Sequence, residues 1–301
     1  MSRGGLIVVG GEALIDLVPT AEDTLGPHPG GGPFNTARTL GRLERPVAYL
    51  GRLSTDGFGT RMAELLAADG VRLDAVVRTE QPTTLALVEL DAQRSARYRF
   101  YAEGTSAPGL TEADTAPDGV AMLHVGTLGL VFEPMAAALE ALALRLAGRA
   151  LVMVDPNVRP ATIADPDAYR ARLGRVLGAA DVVKVSEEDL AWLAPGADPL
   201  AAVRALGPPV ALLTRGADGA VVVTGGHAEP VAAPPVAVVD TIGAGDAFSG
   251  GWLAWWSEHG YGRAELTRVE DLVAATRFAC LVAARTCARP GASPPWRAEL
   301  G

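Results

Sequence analysis

The chain has 301 residues, 49% of them apolar, and a formal net charge of −9. That is enough apolar material for one large core, while an acidic surface with no run of basic residues disfavours nucleic acid as a partner. No stretch reaches the roughly 20 apolar residues of a membrane helix, and Leu6–Val9 lacks the basic start and long apolar body of a signal peptide, so a cytoplasmic protein is expected.

Leu6-Ile7-Val8-Val9 predicts a first strand, followed by Gly10-Gly11-Glu12-Ala13-Leu14-Ile15-Asp16. A carboxylate at such a strand end, Asp16, suits paired sugar hydroxyls, although a turn residue is the plainer reading. Gly30-Gly31-Gly32-Pro33-Phe34-Asn35-Thr36-Ala37 comes next. Its glycines allow close approach of a ligand, Pro33 suits a first helical position, and Asn35 can donate and accept toward a hydroxyl-rich molecule. Val47–Leu50, Leu123–Val125, Leu151–Val154, Val182–Val185 and Val210–Leu213 continue the strands, each beside a helix-like segment. That alternation predicts an α/β fold with a largely parallel sheet covered by helices on both faces.

Thr83–Tyr101 departs from the alternation. Leu85, Leu87 and Leu90, then Tyr98, Phe100 and Tyr101, predict two strands joined at Asp91-Ala92-Gln93-Arg94, a hairpin projecting from the sheet edge. Segments 12–30 and 82–107 are expected to make a small β lid on one domain spanning residues 1–301, and the apolar edge Tyr98–Tyr101 suits pairing of two lids in a homodimer. Farther on, Val221–Val223 and Val231–Val238 are expected as edge hairpin strands, because Pro230, Pro234 and Pro235 fit no central strand. Helices are expected from Ala244 to about His259 and from Val269 to Cys287. Cys280 and Cys287 lie on the second of these, about 10 Å apart along its axis, too far to bridge. The histidines at 28, 124, 227 and 259 show no metal-ligand spacing.

Lys184 is the only lysine in the chain. A phosphate-wrapping P-loop needs glycine directly before its lysine, and residue 183 is Val, which excludes a Walker-type NTPase. The plain reading of Lys184 is a chance survivor in an arginine-rich composition.

The most informative segment is Asp240-Thr241-Ile242-Gly243-Ala244-Gly245-Asp246-Ala247-Phe248-Ser249-Gly250-Gly251. Gly243 and Gly245 leave backbone uncovered where a helix is expected to begin, so free N–H groups can point at an anion. Asp246 would repel a bound phosphate unless it has another task. General base toward an incoming hydroxyl uses both features, with the amides of Ala244, Gly245 and Asp246 holding the charge that develops on a transferring phosphoryl group. The plainer alternative is a tight loop and a helix-start aspartate favoured by the macrodipole. A dinucleotide fingerprint fails, because its third glycine would fall at Phe248.

Gly30–Ala37, followed by Gly51-Arg52-Leu53-Ser54-Thr55-Asp56-Gly57-Phe58-Gly59, resembles the N-terminal signature of the ribokinase-like carbohydrate kinase family, often called PfkB, and Asp240–Asp246 resembles its C-terminal signature. The resemblance spans nearly the whole chain. It implies a three-layer sandwich, an ATP-dependent sugar kinase and magnesium as cofactor. It implies Asp246 as catalytic base, Gly243, Ala244 and Gly245 as anion hole, and Asp16, Gly31, Gly32 and Asn35 as ligands of sugar hydroxyls. Lys184 and Glu187 fall in the segment that organises magnesium and phosphates, where Ser186 and Asp189 replace the family's Asn-x-x-Glu. Thr214 and Gly216 match its nucleotide turn, and Cys280, Ala283 and Cys287 lie on the helix that walls its adenine pocket. Asp240, Ile242, Gly291 and Ser293 match positions where many members bind a monovalent cation, which adds potassium as an optional cofactor.

Asp155-Pro156-Asn157-Val158-Arg159-Pro160 resembles the fructokinase and 2-keto-3-deoxygluconate kinase branches, whose Arg here faces the substrate. Tyr98-Arg99-Phe100-Tyr101 resembles the fructokinase lid, which adds Phe100 to the sugar site. An acid sugar would use Arg159 as a carboxylate clamp; an ion pair with Asp155 or Asp165 is the structural reading. Fructose is the preferred acceptor, followed by the keto acid and a nucleoside. A non-catalytic sugar sensor is the contrasting reading, and it would need neither Asp246 nor the Gly-Ala-Gly turn.

Overall fold

Residues 5–21, 24–90 and 96–301 are described by the computed structural model. β1 (Leu6–Gly10) is followed by β2 (Leu14–Ala21) and β3 (Thr24–Gly30), and α1 (Gly32–Arg42) leads to β4 (Val47–Ser54). α2 (Gly57–Ala68), β5 (Val76–Thr79), β6 (Leu85–Leu90) and β7 (Ala96–Tyr101) come next. Then β8 (Val120–Gly126), α3 (Met135–Leu146), β9 (Leu151–Asp155), α4 (Pro166–Ala179), β10 (Val182–Ser186), α5 (Glu187–Leu193), α6 (Pro199–Ala205) and β11 (Val210–Thr214) alternate. β12 (Ala220–Thr224), β13 (His227–Val231), α7 (Ala244–Glu258) and α8 (Val269–Cys287) complete the order.

The main sheet has nine strands in the order β13-β12-β11-β10-β9-β8-β1-β4-β5. Only the β11–β12 and β12–β13 pairs are antiparallel. Every residue of β1 and β9 is buried, as unbroken apolar runs require when helices cover both faces of a sheet. One core packs α1, α7 and α8 against Ile7, Tyr49 and Met153; the other packs α3 and α4 against Val8, Val125 and Val154. Trp252 and Trp256 of α7 are fully buried and stack at 4.8 Å, so truncating either to Ala would cost about 3–5 kcal/mol. Asp-Pro pairs begin α4 and α6: Asp165 Oδ1 accepts from the amides of Asp167 and Ala168, Asp198 Oδ1 from that of Ala201, and proline at the first position needs no acceptor.

The strand order reverses at β1, with β4 and β5 to one side and β8 through β13 to the other. Ligands of open α/β sheets bind outside the carboxyl ends of strands at such a switch point. Over it lies a second sheet, ordered β3-β2-β6-β7, whose small core joins Leu14, Ala86 and Leu128 to Tyr98, Phe100 and Phe132. Its β6–β7 pair is the hairpin read from Thr83–Tyr101, with Leu85 opposite Tyr101 and Leu90 opposite Ala96; the predicted turn Asp91–Arg94 lies outside the described residues.

One strand differs from its sequence reading. The partner of β12 is His227–Val231, not Val231–Val238. Thr224 pairs with His227 across the two-residue Gly225-Gly226 turn, with Gly225 at φ 52°, so the hairpin closes at once and ends before Pro234 and Pro235. Pro230 is tolerated because β13 is an edge. Among the described residues no helix is long and apolar enough to cross a membrane.

Candidate active site

Asp246 is the third residue of α7, and its side chain is buried at the switch point. Its Oδ2 accepts from Asn35 Nδ2 at 2.9 Å, a contact between residues 211 apart in sequence. Gly243 caps the helix at φ 76°, where an added Cβ would stand 2.6 Å from that of Ala292, so a side chain is barred by both conformation and space. The first-turn amide of Ala244 is donated to Thr241 O, whereas those of Gly245 and Asp246 have no backbone acceptor among the described residues. The open part of the cradle is therefore one residue shorter than the sequence suggested. Burial, more than any neighbour, pushes the Asp246 carboxyl up to about 6; Asn35 and Lys184 oppose it, and Asp155 adds to it.

Lys184 projects from β10 beneath that cradle. Its Nζ lies 3.0 Å from Asp155 Oδ2 and would be 3.0 Å from a Cβ added at Gly245. Ser249 Oγ donates to the same Asp155 oxygen at 3.4 Å. Burial works to discharge the ammonium, but the carboxylates of Asp155, Asp189 and Asp246 outweigh it and hold Lys184 above the ordinary lysine range. A buried, carboxylate-bound ammonium at a helix mouth replaces the chance-residue reading.

On the other side of Asp246, α1 begins with the glycine turn. Gly31 has φ 106°, and a Cβ there would meet Glu12 O at 2.6 Å. A Cβ on Gly32 would come 2.6 Å from Thr127 Oγ1 and 3.3 Å from Asp246 Oδ1. The N–H of Gly32 is donated to Glu12 Oε1, so this residue offers clearance rather than a free amide. Asp16 of β2 lies over Gly30, whose missing side chain makes room for its carboxylate. Burial first, then the charge of Asp246, pushes Asp16 up to about 7, and Arg159 offsets part of this. Phe100 of β7 stacks on Tyr98 and meets Phe132 edge-on. These three rings and Arg159 border a cavity of about 810 Å³ between the second sheet and the loop after β9. The two acids expected as ion-pair partners of Arg159 are engaged elsewhere, Asp155 by Lys184 and Asp165 as the α4 cap.

Glu187, Thr214 and Gly216 stand at the carboxyl ends of β10 and β11. Thr214 Oγ1 donates to Val185 O, Gly216 follows at φ 54°, and Glu187 pairs with Arg215 at 3.1 Å. Asp189 spends both oxygens inside the protein, accepting from Ser186 N and Oγ and from Val158 N. On α8, Cys280 is buried in the core, whereas Ala283 and Cys287 are partly exposed on one face. Cys287 O accepts the amides of Val239 and Asp240. Asp240 accepts from Ile242 N at 3.0 Å and Gly291 N at 2.8 Å, and Ser293 N donates to Gly291 O, so these four positions converge.

Sequence reasoning passed over Glu12, Thr127 and the Asp155–Ser249 contact. Glu12 and Asp155 carried a readable signal, since each is a carboxylate at or just past the carboxyl end of a buried strand. Thr127 carried none: its φ of 52° is set by the turn after β8.

The family model for pfkB carbohydrate kinases matches residues 5–299. A fructokinase of Rhizobium leguminosarum bv. trifolii is 39% identical over 259 residues, covering 83% of this chain and 79% of that protein. The crystal structure of Xylella fastidiosa fructokinase with bound ATP superposes with a TM-score of 0.91 at 29% identity, covering 100% of this chain and 97% of that one. Vibrio cholerae O395 fructokinase, in a form with fructose, ADP and calcium ion, gives 0.89 at 28% identity, covering 99% and 98%. The carboxylate at the helix mouth thus sits in a chain matched almost end to end, which belongs to the pfkB family of carbohydrate kinases and uses ATP to phosphorylate a sugar.

Proposed function

We propose that the sugar is fructose and that Asp246 takes the proton from the primary hydroxyl that becomes phosphorylated. The observation that carries this is the Asp246 carboxylate, buried beside the open amides of Gly245 and its own residue and aimed by Asn35. In this reading Asp16, Gly31 and Asn35 hold the sugar hydroxyls, with Gly32 providing clearance and Phe100 closing over the ring. ATP lies along Thr214, Gly216 and Gly243–Gly245, with Lys184 beneath its phosphates and α8, through Cys280, Ala283 and Cys287, behind the base. As the hydroxyl oxygen attacks the γ-phosphorus of ATP in line, the bond to the β,γ-bridging oxygen breaks and ADP leaves, Asp246 Oδ1 receives the hydroxyl proton, and the amide cradle takes the charge of the transferring phosphoryl group. The second sheet acts as a lid that excludes water as a competing acceptor. Its exposed Leu25 and Tyr101 support pairing of two copies. A cytoplasmic setting suits a kinase drawing on ATP.

Magnesium needs few protein carboxylates when it travels on phosphates. Glu187 is the one we assign to its water shell, because Asp189 has no oxygen to spare. Held there, magnesium would supply positive charge to offset that of the phosphates. We assign a monovalent cation, potassium, to Asp240, Ile242, Gly291 and Ser293, where the side chain of Asp240 gathers the amides of Ile242 and Gly291 around one point.

Arg159, half-buried and with neither Asp155 nor Asp165 as partner, favours a second reading in which the acceptor is a sugar acid such as 2-keto-3-deoxygluconate. Purified protein with ATP, magnesium and a panel of acceptors decides between them by ADP release. Fructose is expected to turn over fastest; release only with the acid or with a nucleoside rejects it, and sugar affinity without any release makes the protein a sensor.

The acid limb of kcat/KM should fall between about pH 6 and 7. Asp246, raised to about 6, must be ionised to act as base, and Asp16, raised to about 7, accepts best as carboxylate. Both lose activity as pH drops and protons are added. A limb near pH 4 would mean that these carboxyls are not the groups being titrated.

A further inference from the structure

We propose that Glu12 is a positioning residue for the sugar, clipping the first residue of α1 to the turn after β8 so that the glycine face and Asn35 keep their distance from Asp246. The inference rests on assigning Gly31 and Asn35 to the sugar. Glu12 lies just past β1 at the switch point, is 1% exposed, and uses its two oxygens on two different walls. Oε1 accepts from Gly32 N at 3.1 Å and Oε2 from Gly129 N at 3.0 Å. Gly32 opens α1, and Gly129 belongs to the 3-10 turn Thr127–Leu130 that follows β8. The backbone of Glu12 closes the same joint, since a Cβ on Gly31 would strike its carbonyl. From Gly32 the helix runs directly to Asn35, whose side chain aims Asp246. Glu12 is thus one residue removed from the groups that hold the sugar and two contacts removed from the base.

A carboxylate is a costly strut here. Burial above all, with the charge of Asp246 adding to it, pushes its carboxyl up to about 8, while the backbone amides of Glu12 itself, Gly32 and Gly129 pull the other way. An apolar residue would fill the space without that opposition, but it could not hold two N–H groups from separate elements at once. A buried acid where packing alone disfavours it points to a task at the site.

The test uses Glu12→Gln and Glu12→Asp. The amide of E12Q offers one acceptor, so one of the two N–H groups faces a donor whichever way it turns; E12D keeps both carboxyl oxygens but is too short to reach both walls. Both variants are expected to retain the wild-type KM for ATP and a cooperative melt, while kcat/KM for fructose falls about 10- to 100-fold, the scale of a small misplacement of reacting groups. Equal loss toward ATP and sugar would show a general structural fault and overturn the proposal, as would failure of both variants to fold. Wild type assayed alongside separates the two readings. An inactive wild type counts against fructose; full fructose turnover by E12Q beside an active wild type counts against Glu12.

Discussion

Asp246→Asn lowers turnover by about a hundredfold to ten-thousandfold, the range for loss of a general base, and leaves fold and ATP affinity in place. The amide is nearly isosteric, and its oxygen can still accept from Asn35 Nδ2. The substitution also removes a charge that burial opposes, since the carboxyl is already raised to about 6. Stability should therefore hold or rise slightly. Steady-state ADP release, a thermal melt and ATP titration by calorimetry check the three parts. Turnover near wild type in a folded D246N protein would remove Asp246 from the chemistry.

Lys184→Met is expected to be the most destabilising single change at the site. It leaves Asp155 without its cation in a position that is 2% exposed, and breaking such a pair costs about 3–5 kcal/mol. The double variant K184M/D155N removes both charges and should recover most of that loss. It should not recover turnover, because the cradle under Gly245 then has no ammonium. Chemical denaturation of the single and double variants, with kcat measured on each, tests the separation. A K184M protein as stable as wild type would show that the pair contributes nothing net to the fold.

Much of this was legible in the sequence where the signal is local. The helix limits Val269–Cys287, the helix start at Ala244 and the Thr83–Tyr101 hairpin follow from periodicity and turn chemistry, and each is found in the structure. The misplaced β13 was also local: the Gly225-Gly226 turn outweighed the valines that followed. What escaped was built by closure over distance. Gly32 reads as a ligand of sugar hydroxyls until Glu12 is seen to take its amide, and Asp189 reads only as a departure from the family's Asn-x-x-Glu until Val158 N is brought to it across the loop after β9. Lys184 gives no hint of Asp155, which comes from the neighbouring strand. In each case the partner is chosen by which strands lie side by side, a choice that spacing along the chain does not encode.

The position of β1 between β4 and β8 also orders events during synthesis. β1 is an interior strand, and its second neighbour, β8, is complete only when residue 126 has been made. Until then one edge of β1 offers unpaired peptide groups, so the crevice at the switch point gains its far wall only once β8 has been made.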